Sequence, residues 1–296
     1  MKLIFENWYK FIAETKFEQL KSSGLVGFLP RELYPDILSI LNDNDEYLID
    51  EEIILWDYAS ELLTEKINKH IFYQDISAVF DPKRLEATRE PISVKEEKIA
   101  EIDPNFRVLH YLVDPTDPRS FKNIPKKIAE SILFCFKNSL DMGLEPASRY
   151  CYLTFDQARV KKGSSLRQRG FHIDGMQGLE VPVKKNADYQ YIWSDVQPTT
   201  FCTKTFNLDG FEAGEHNIFT WIENQVENKL CYPLRANNFY LMNAYHVHEA
   251  SKVSESGYRK FLRVSFTNTP VTSRKANINP NIEYDYEIGT TSGEIP

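Results

Sequence analysis

Apolar positions in the first part of the chain recur at helical spacing. After the breaker Pro35, residues Ile37, Ile40 and Leu41 fall at three- and four-residue steps. From Asp50 to Ile71, residues Ile53, Ile54, Trp56, Leu62, Leu63 and Ile67 form a stripe that leaves Glu51, Glu52, Glu61 and Lys66 outside, which predicts one amphipathic helix. Pro82 closes this region. Residues 83–104 are charged and sparsely apolar and predict a linker, a flap or an extended arm over the core.

The period then changes. Phe106–Val113 has the apolar and β-branched content of a buried strand, and Ile124–Leu144 places Ile128, Ile132, Leu133 and Phe136 on one face of a helix. Short strand-like runs follow at Tyr150–Phe155, Tyr189–Ser194, Thr199–Phe206, Phe239–Asn243 and Lys260–Thr267, most of them bounded by turn residues. Phe219–Leu230 predicts a short inserted helix, and the chain from Pro280 reads as a polar, acidic tail. Many short strands without regular strand–helix alternation favour an antiparallel sandwich or barrel over a doubly wound sheet. The expected class is α+β with a mainly β core and flanking helices. Residues 1–100 form a helical N-terminal region and linker packing on the core, and residues 101–296 form the core with its tail. There is no internal repeat.

Composition narrows the setting. The 296 residues are 42% hydrophobic and 13% aromatic, as in an ordinary globular chain. No apolar run approaches the ~18–20 residues that span a bilayer, and the start of the chain lacks a continuous apolar signal core, so a cytoplasmic protein without membrane association is expected. Cys135, Cys151, Cys202 and Cys231 are widely spaced, which predicts buried reduced thiols rather than a disulfide framework or a structural zinc site. A formal charge of −8 disfavours a nucleic-acid partner. The basic cluster from Arg159 to Arg169 reads as a solvated loop, and Trp193 and Trp221 read as core or wall groups.

The histidines carry the chemical signal. Three of the six lie in two stretches, Gly170-Phe-His-Ile-Asp-Gly175 and Asn243-Ala-Tyr-His-Val-His-Glu249. Residues two apart on an extended strand share a face, so His172 and Asp174 can hold one ion from adjacent positions. His246 or His248 can supply a third ligand from a neighbouring strand. Two histidines and one carboxylate on one face of an octahedron leave open positions, as iron(II) oxygenases require, while a zinc site or satisfied core histidines remain the alternatives. Further on, Lys260-Phe-Leu-Arg-Val-Ser-Phe-Thr267 places Arg263 and Ser265 on one face among apolar neighbours. A guanidinium buried there needs an anion, and its planar fork matches a carboxylate.

Taken together, His172, Asp174, His248, Arg263 and Ser265 resemble the HxD, distal His and Arg-x-Ser elements of the iron(II)- and 2-oxoglutarate-dependent dioxygenase superfamily, in its phytanoyl-CoA- and prolyl-hydroxylase-like branches, over roughly residues 148–268. The resemblance implies a double-stranded β-helix, a cupin-like jelly roll. It implies an iron(II) cofactor held by His172, Asp174 and His248, and 2-oxoglutarate held by Arg263 and Ser265. With dioxygen, a C–H bond is hydroxylated as 2-oxoglutarate is converted to succinate and CO2. Asp174 argues against a halogenase. Arg263 follows His248 by fifteen residues where many members show about ten, so Arg259, eleven after His248, competes for the clamp; the Arg-x-Ser match favours Arg263. The expected substrate is small and polar or amino-acid-like, with Arg167, Arg169 and Tyr191 as rim contacts. A peptide hydroxylase or a non-enzymatic cupin-like binding protein is the alternative.

Overall fold

The computed structural model describes residues 68–86, 89–99, 102–146, 149–165, 170–174, 178–180, 188–196, 199–226 and 230–289. The chain divides into two units, Met1–Ile71 and Phe72–Pro296. The helix expected after Pro35 and nearly all of that expected at Asp50–Ile71 lie outside the described residues.

The second unit is built on antiparallel sheet. In chain order its strands are β1 (Ile92–Glu96), β2 (Val108–Val113), β3 (Tyr150–Val160), β4 (Tyr189–Ser194), β5 (Thr200–Cys202), β6 (Cys231–Pro233), β7 (Asn238–Asn243), β8 (His248–Glu249) and β9 (Gly257–Thr267), with helices α1 (Lys126–Asp141) and α2 (Ile218–Glu223). Six strands pair in the order β1-β7-β4-β9-β3-β2, and a smaller sheet has the order β6-β5-β8. The longest pairing joins β3 to β9, from Tyr150 opposite Thr267 to Val160 opposite Gly257.

The two-residue period sorts the large sheet into two faces. Tyr191, Trp193, Leu153, Phe155, Leu241, Leu262 and Val264 enter one core together with Ile128, Ile132 and Cys135 of α1. These α1 residues are wholly buried, and each large apolar side chain so removed from water contributes on the order of 1.5–3 kcal/mol. Helix α1 starts after Pro125 and ends in a Schellman turn. Leu144 N–H donates to Ser139 O (2.9 Å) and Gly143 N–H to Leu140 O (2.8 Å), with Gly143 at φ 71°, a conformation glycine adopts without strain. The Tyr191 hydroxyl meets Asn138 and Ser139 of α1 at 2.9 Å, and Trp193 Nε1 donates to Glu97 O at 2.8 Å.

The opposite face of the large sheet presents Gln190, Ile192, Tyr240, Met242, Phe261 and Arg263. Ile192, Tyr240, Met242 and Phe261 pack with Phe201 of the small sheet and Leu234, which joins the two sheets. Among the described residues, no helix is long and apolar enough to cross a membrane.

Several boundaries differ from the sequence expectation. The 83–104 stretch contributes β1, an edge strand with only Ile92 and Val94 packed against the core and with Lys95 and Glu96 turned out, a composition that suits an edge. Strand β3 continues five residues past Phe155, because Asp156 and Gln157 remain in the ladder opposite Phe261 and Lys260. The acidic tail is docked on β3 by its tyrosines: the Tyr286 hydroxyl meets that of Tyr152 at 2.6 Å, and Tyr150 donates to Asp285. The four cysteines are reduced, three of them buried.

Candidate metal centre and its recess

His172 is placed by backbone pairing rather than by a strand of its own. Its N–H donates to His248 O and its carbonyl accepts from His248 N–H, both at 2.9 Å, which ties it to β8. The extended pattern lasts only from Phe171 to Ile173 before a turn begins at Asp174. The alternation still holds: Ile173 enters an apolar cluster with Phe171 and Val247, while His172 and Asp174 turn together toward His248. One ligand-capable atom from each of these three residues lies within 4.8 Å of the other two, the Asp174 Oδ2 to His248 Nε2 distance being 3.9 Å.

Both imidazoles are held in the same way. His172 Nδ1 lies 3.0 Å from Gly170 O, and His248 Nδ1 lies 2.8 Å from His246 O. A ring whose Nδ1–H donates to a carbonyl keeps its lone pair on Nε2, the tautomer that ligates metal. Gly170 sits at φ 100°, outside the range of an ordinary L-residue, so the carbonyl that orients His172 depends on glycine. Phe201 stacks on the His248 ring, with centroids 5.5 Å apart and planes at 23°.

The electrostatics favour a cation. Burial pushes the His248 pKa down to about 4 despite the opposing pull of Asp174, so the ring is neutral at pH 7. For Asp174, desolvation pushes upward. The charges of His248, Arg263 and His172 and a hydrogen bond from Gln190 outweigh it and hold the carboxyl at about 2. Gln190 Nε2 donates to Asp174 Oδ2, and Gln190 Oε1 accepts from Ser265 Oγ at 3.3 Å, which links β4 and β9 to the carboxylate.

The three residues open onto a recess of about 630 Å³ between the two sheets. Its wall includes Ile192, Met242, Phe261 and Phe219 beside the polar Gln190, Arg259 and Arg263. Arg263 lies on the recess face of β9, where burial lowers its pKa and Asp174 opposes that shift. Its buried Nε has no hydrogen-bond partner. Ser265 shares that face but donates to Gln190. Arg259 also reaches the recess, yet its Nε is committed to Ser194 Oγ and Val196 O, both at 3.2 Å.

His246 is 3% exposed and outside the recess wall, with Nδ1 at 2.9 Å from Asn243 Oδ1. Asn243 Nδ2 donates in turn to the buried Asp75, which Arg89 holds through two contacts of 2.6 and 2.9 Å. Tyr191, expected at the rim, points to the opposite face of β4 because its parity is that of Tyr189 and Trp193. Arg167 and Arg169 lie outside the described residues. On the basic cluster, Arg159, Lys161 and Lys162 are solvent-exposed.

Sequence reasoning passed over Gln190, although a lone amide among the large aromatics of Tyr-Gln-Tyr-Ile-Trp signals a polar task on the second face. It also passed over His110. A bulge in β2 between Val108 and Tyr111 turns Leu109 and His110 into the recess, with His110 at φ 48°.

Two histidines and one carboxylate converge on a recess beside a guanidinium whose buried Nε has no hydrogen-bond partner, a donor set that could hold a metal ion. Among solved structures the chain is similar to EvdO2 from Micromonospora carbonacea var. aurantiaca, with a TM-score of 0.33 and 9% identity over 54% of this chain and 67% of that one. It is also similar to EvdO2 complexed with 2-oxoglutarate, with a TM-score of 0.35 and 9% identity over 64% of this chain and 82% of that one. No family model and no curated protein matches.

Proposed function

We propose that the protein is an iron(II)- and 2-oxoglutarate-dependent oxygenase that hydroxylates a C–H bond of a small polar or amino-acid-like substrate, its two sheets forming a double-stranded β-helix. The observation that carries this reading is the pairing of the His172, Asp174 and His248 cluster with the orphaned Nε of Arg263 on one recess. A purely structural zinc site has no use for a buried cation beside it, whereas a carboxylate co-substrate supplies the anion that Arg263 lacks. The donor set also fits iron(II), since three protein ligands leave positions for co-substrate and dioxygen.

When bound, iron(II) with 2-oxoglutarate and dioxygen supplies the oxidising chemistry and yields succinate and CO2 with the hydroxylated product. The protein contributes placement. His172 and His248 present fixed Nε2 lone pairs, Gln190 restrains the Asp174 carboxylate, and Arg263 binds the far carboxylate of the co-substrate. Ser265, linked through Gln190, braces the same wall. Ile192, Met242 and Phe261 exclude water. The recess volume lies in the range of small-molecule sites, which favours a metabolite over a folded protein as substrate.

Anaerobic titration of the purified protein with iron(II) and then 2-oxoglutarate tests this reading through the visible metal-to-ligand charge-transfer band. The parent should form the band and His172→Ala should not. Iron binding without a band on addition of 2-oxoglutarate would leave a metal-binding protein and end the oxygenase reading.

A further inference from the structure

Cys202 and Cys231 stand directly opposite one another on the antiparallel pair β5–β6. The ladder shows which kind of position this is. Leu234 N–H donates to Thr199 O and Thr203 N–H to Leu230 O, so the hydrogen-bonded pairs fall at 199/234, 201/232 and 203/230. The intervening pairs, 200/233 and 202/231, are non-hydrogen-bonded, in keeping with Pro233, which has no N–H to offer. The Cys202 N–H points the other way, to Val247 O just before β8, at 3.0 Å. At non-hydrogen-bonded positions the Cα atoms approach to about 4.5 Å and the side chains are closest, inside the ~4.4–6.8 Å window that a disulfide spans. The two thiols are already in contact through a hydrogen bond. Cys202 is 4% exposed, while Cys231 is partly open to solvent.

We propose that Cys202 and Cys231 form a redox modification site, a vicinal cross-strand dithiol that hydroperoxides convert to a disulfide within the native strand register. The more accessible Cys231 attacks the peroxide as thiolate. The O–O bond breaks, a sulfenic acid forms on Cys231, and hydroxide leaves to take up the thiol proton as water. Cys202 sulfur then attacks Cys231 sulfur, the S–OH bond breaks, and a second water leaves. Two thiols lose two electrons and one hydrogen peroxide gains them.

The environment sets the speed. Burial, the contact with Cys202 and the nearby Glu249 and Glu223 push the Cys231 thiol up to about 12, so little thiolate is present at pH 7 and the reaction is slow there. The other buried pair, Cys135 of α1 and Cys151 of β3, is sealed in the first core, where burial raises both thiols further. The disulfide would fix the β6–β5 edge of the small sheet. Strand β5 also carries Phe201, which stacks on His248, so the modification borders the metal centre without using its ligands.

The full-length protein, treated with hydrogen peroxide, denatured in an alkylating quench and mapped by mass spectrometry, tests the proposal. The expected product is lighter by about 2 Da, contains a Cys202–Cys231 linked peptide, titrates two thiols instead of four and reverts with dithiothreitol. The rate should rise roughly tenfold per pH unit between pH 7 and 9. Cys202→Ser should abolish the linkage, while Cys151→Ser should leave it intact. Because the bond closes a loop in the native register, the melting temperature of the oxidised protein should rise by about 5 °C. Four titratable thiols after prolonged oxidation, a mapped Cys135–Cys151 or intermolecular bond instead, or a fall in melting temperature on oxidation would overturn it.

Discussion

Replacing Arg263 by methionine separates a binding role from a structural one, because the two predict opposite balances. In the protein alone, the guanidinium is costly. Burial lowers its pKa, its Nε has no acceptor, and Asp174 is the acidic group that opposes the shift. A buried donor left unmade costs on the order of 1–3 kcal/mol, so Arg263→Met removes a penalty while depriving Asp174 of one favourable charge. The net effect on the melting temperature should be within a few degrees in either direction. Binding of 2-oxoglutarate should suffer much more. Two charge-assisted hydrogen bonds from a planar fork to a carboxylate contribute about 3–4 kcal/mol between them, and their loss raises Kd roughly 10²–10³-fold. Arg263→Lys keeps the charge and loses the fork, at about tenfold. The assay is anaerobic titration of the iron(II)-loaded protein followed at the charge-transfer band, with the melting curve of each variant alongside. Arg259→Met is the opposing arm: its Nε already serves Ser194 and Val196, so it should lower stability more than affinity. An unchanged Kd in Arg263→Met, or a large loss in Arg259→Met with none in Arg263→Met, refutes the clamp assignment.

Other perturbations follow from the same contacts. Gln190→Leu cuts the link from Ser265 to Asp174 and should weaken iron(II) binding about 10–100-fold, read by competition with a chelator, with little change in the far-ultraviolet spectrum. Asp75→Ala removes the carboxylate that holds the buried Arg89 and should cost about 3–5 kcal/mol in denaturant unfolding, whereas breaking the exposed Arg119–Asp117 pair should leave stability nearly unchanged. Stability should fall as pH drops from 6.5 toward 4. Burial holds His246 and His248 at about 4 in the folded protein, so the unfolded chain binds more protons throughout that window, at an upper bound of roughly 3 kcal/mol per histidine. Asp174, held at about 2, gives up its contribution only below that window. His246→Asn should flatten the slope between pH 6.5 and 5, and an unchanged slope there would assign it to other groups.

The parts of this molecule legible in its sequence are those governed by a local period. Tyr189–Ser194 and Phe239–Asn243 are short, largely apolar runs bounded by polar residues and buried on both faces, and both are strands with the expected bounds, give or take a residue. Helix α1 was legible from Ile128 and Ile132, which are buried as expected, while Leu133, placed on the same face, is 45% exposed and Cys135 takes its place in the core. What escaped the pattern is held by neighbours. Strand β1 has two apolar residues and exists because β7 offers it an edge; the tail from Pro280 lies down because Tyr286, edge-on to Tyr284, meets Tyr150 and Tyr152. Strand β5 keeps only three residues of the run expected at Thr199–Phe206, and β6 and β8, three and two residues long, are too short for any period to register and are defined by pairing partners far away in sequence.

The same division runs through the candidate site and explains why its residues were easier to name than its supports. His172, Asp174, His248 and Arg263 announce themselves by type and parity, since few structural tasks call for two histidines, a carboxylate and an arginine on adjoining faces of a β core. Their geometry, however, is fixed by atoms that carry no sequence signature: the carbonyls of Gly170 and His246, which select the imidazole tautomers, and the reciprocal backbone bonds between His172 and His248. Gln190 shows the intermediate case. Its side chain is visible as an anomaly in an aromatic strand, but its task is set by register alone, because pairing opposite Ser265 and Met242 aims it at the face from which Asp174 arrives. A one-residue slip of β4 would put Tyr191 where Gln190 stands and leave the Asp174 carboxylate without its restraint, so the sheet's aromatic core is also what keeps the His172, Asp174 and His248 cluster in register.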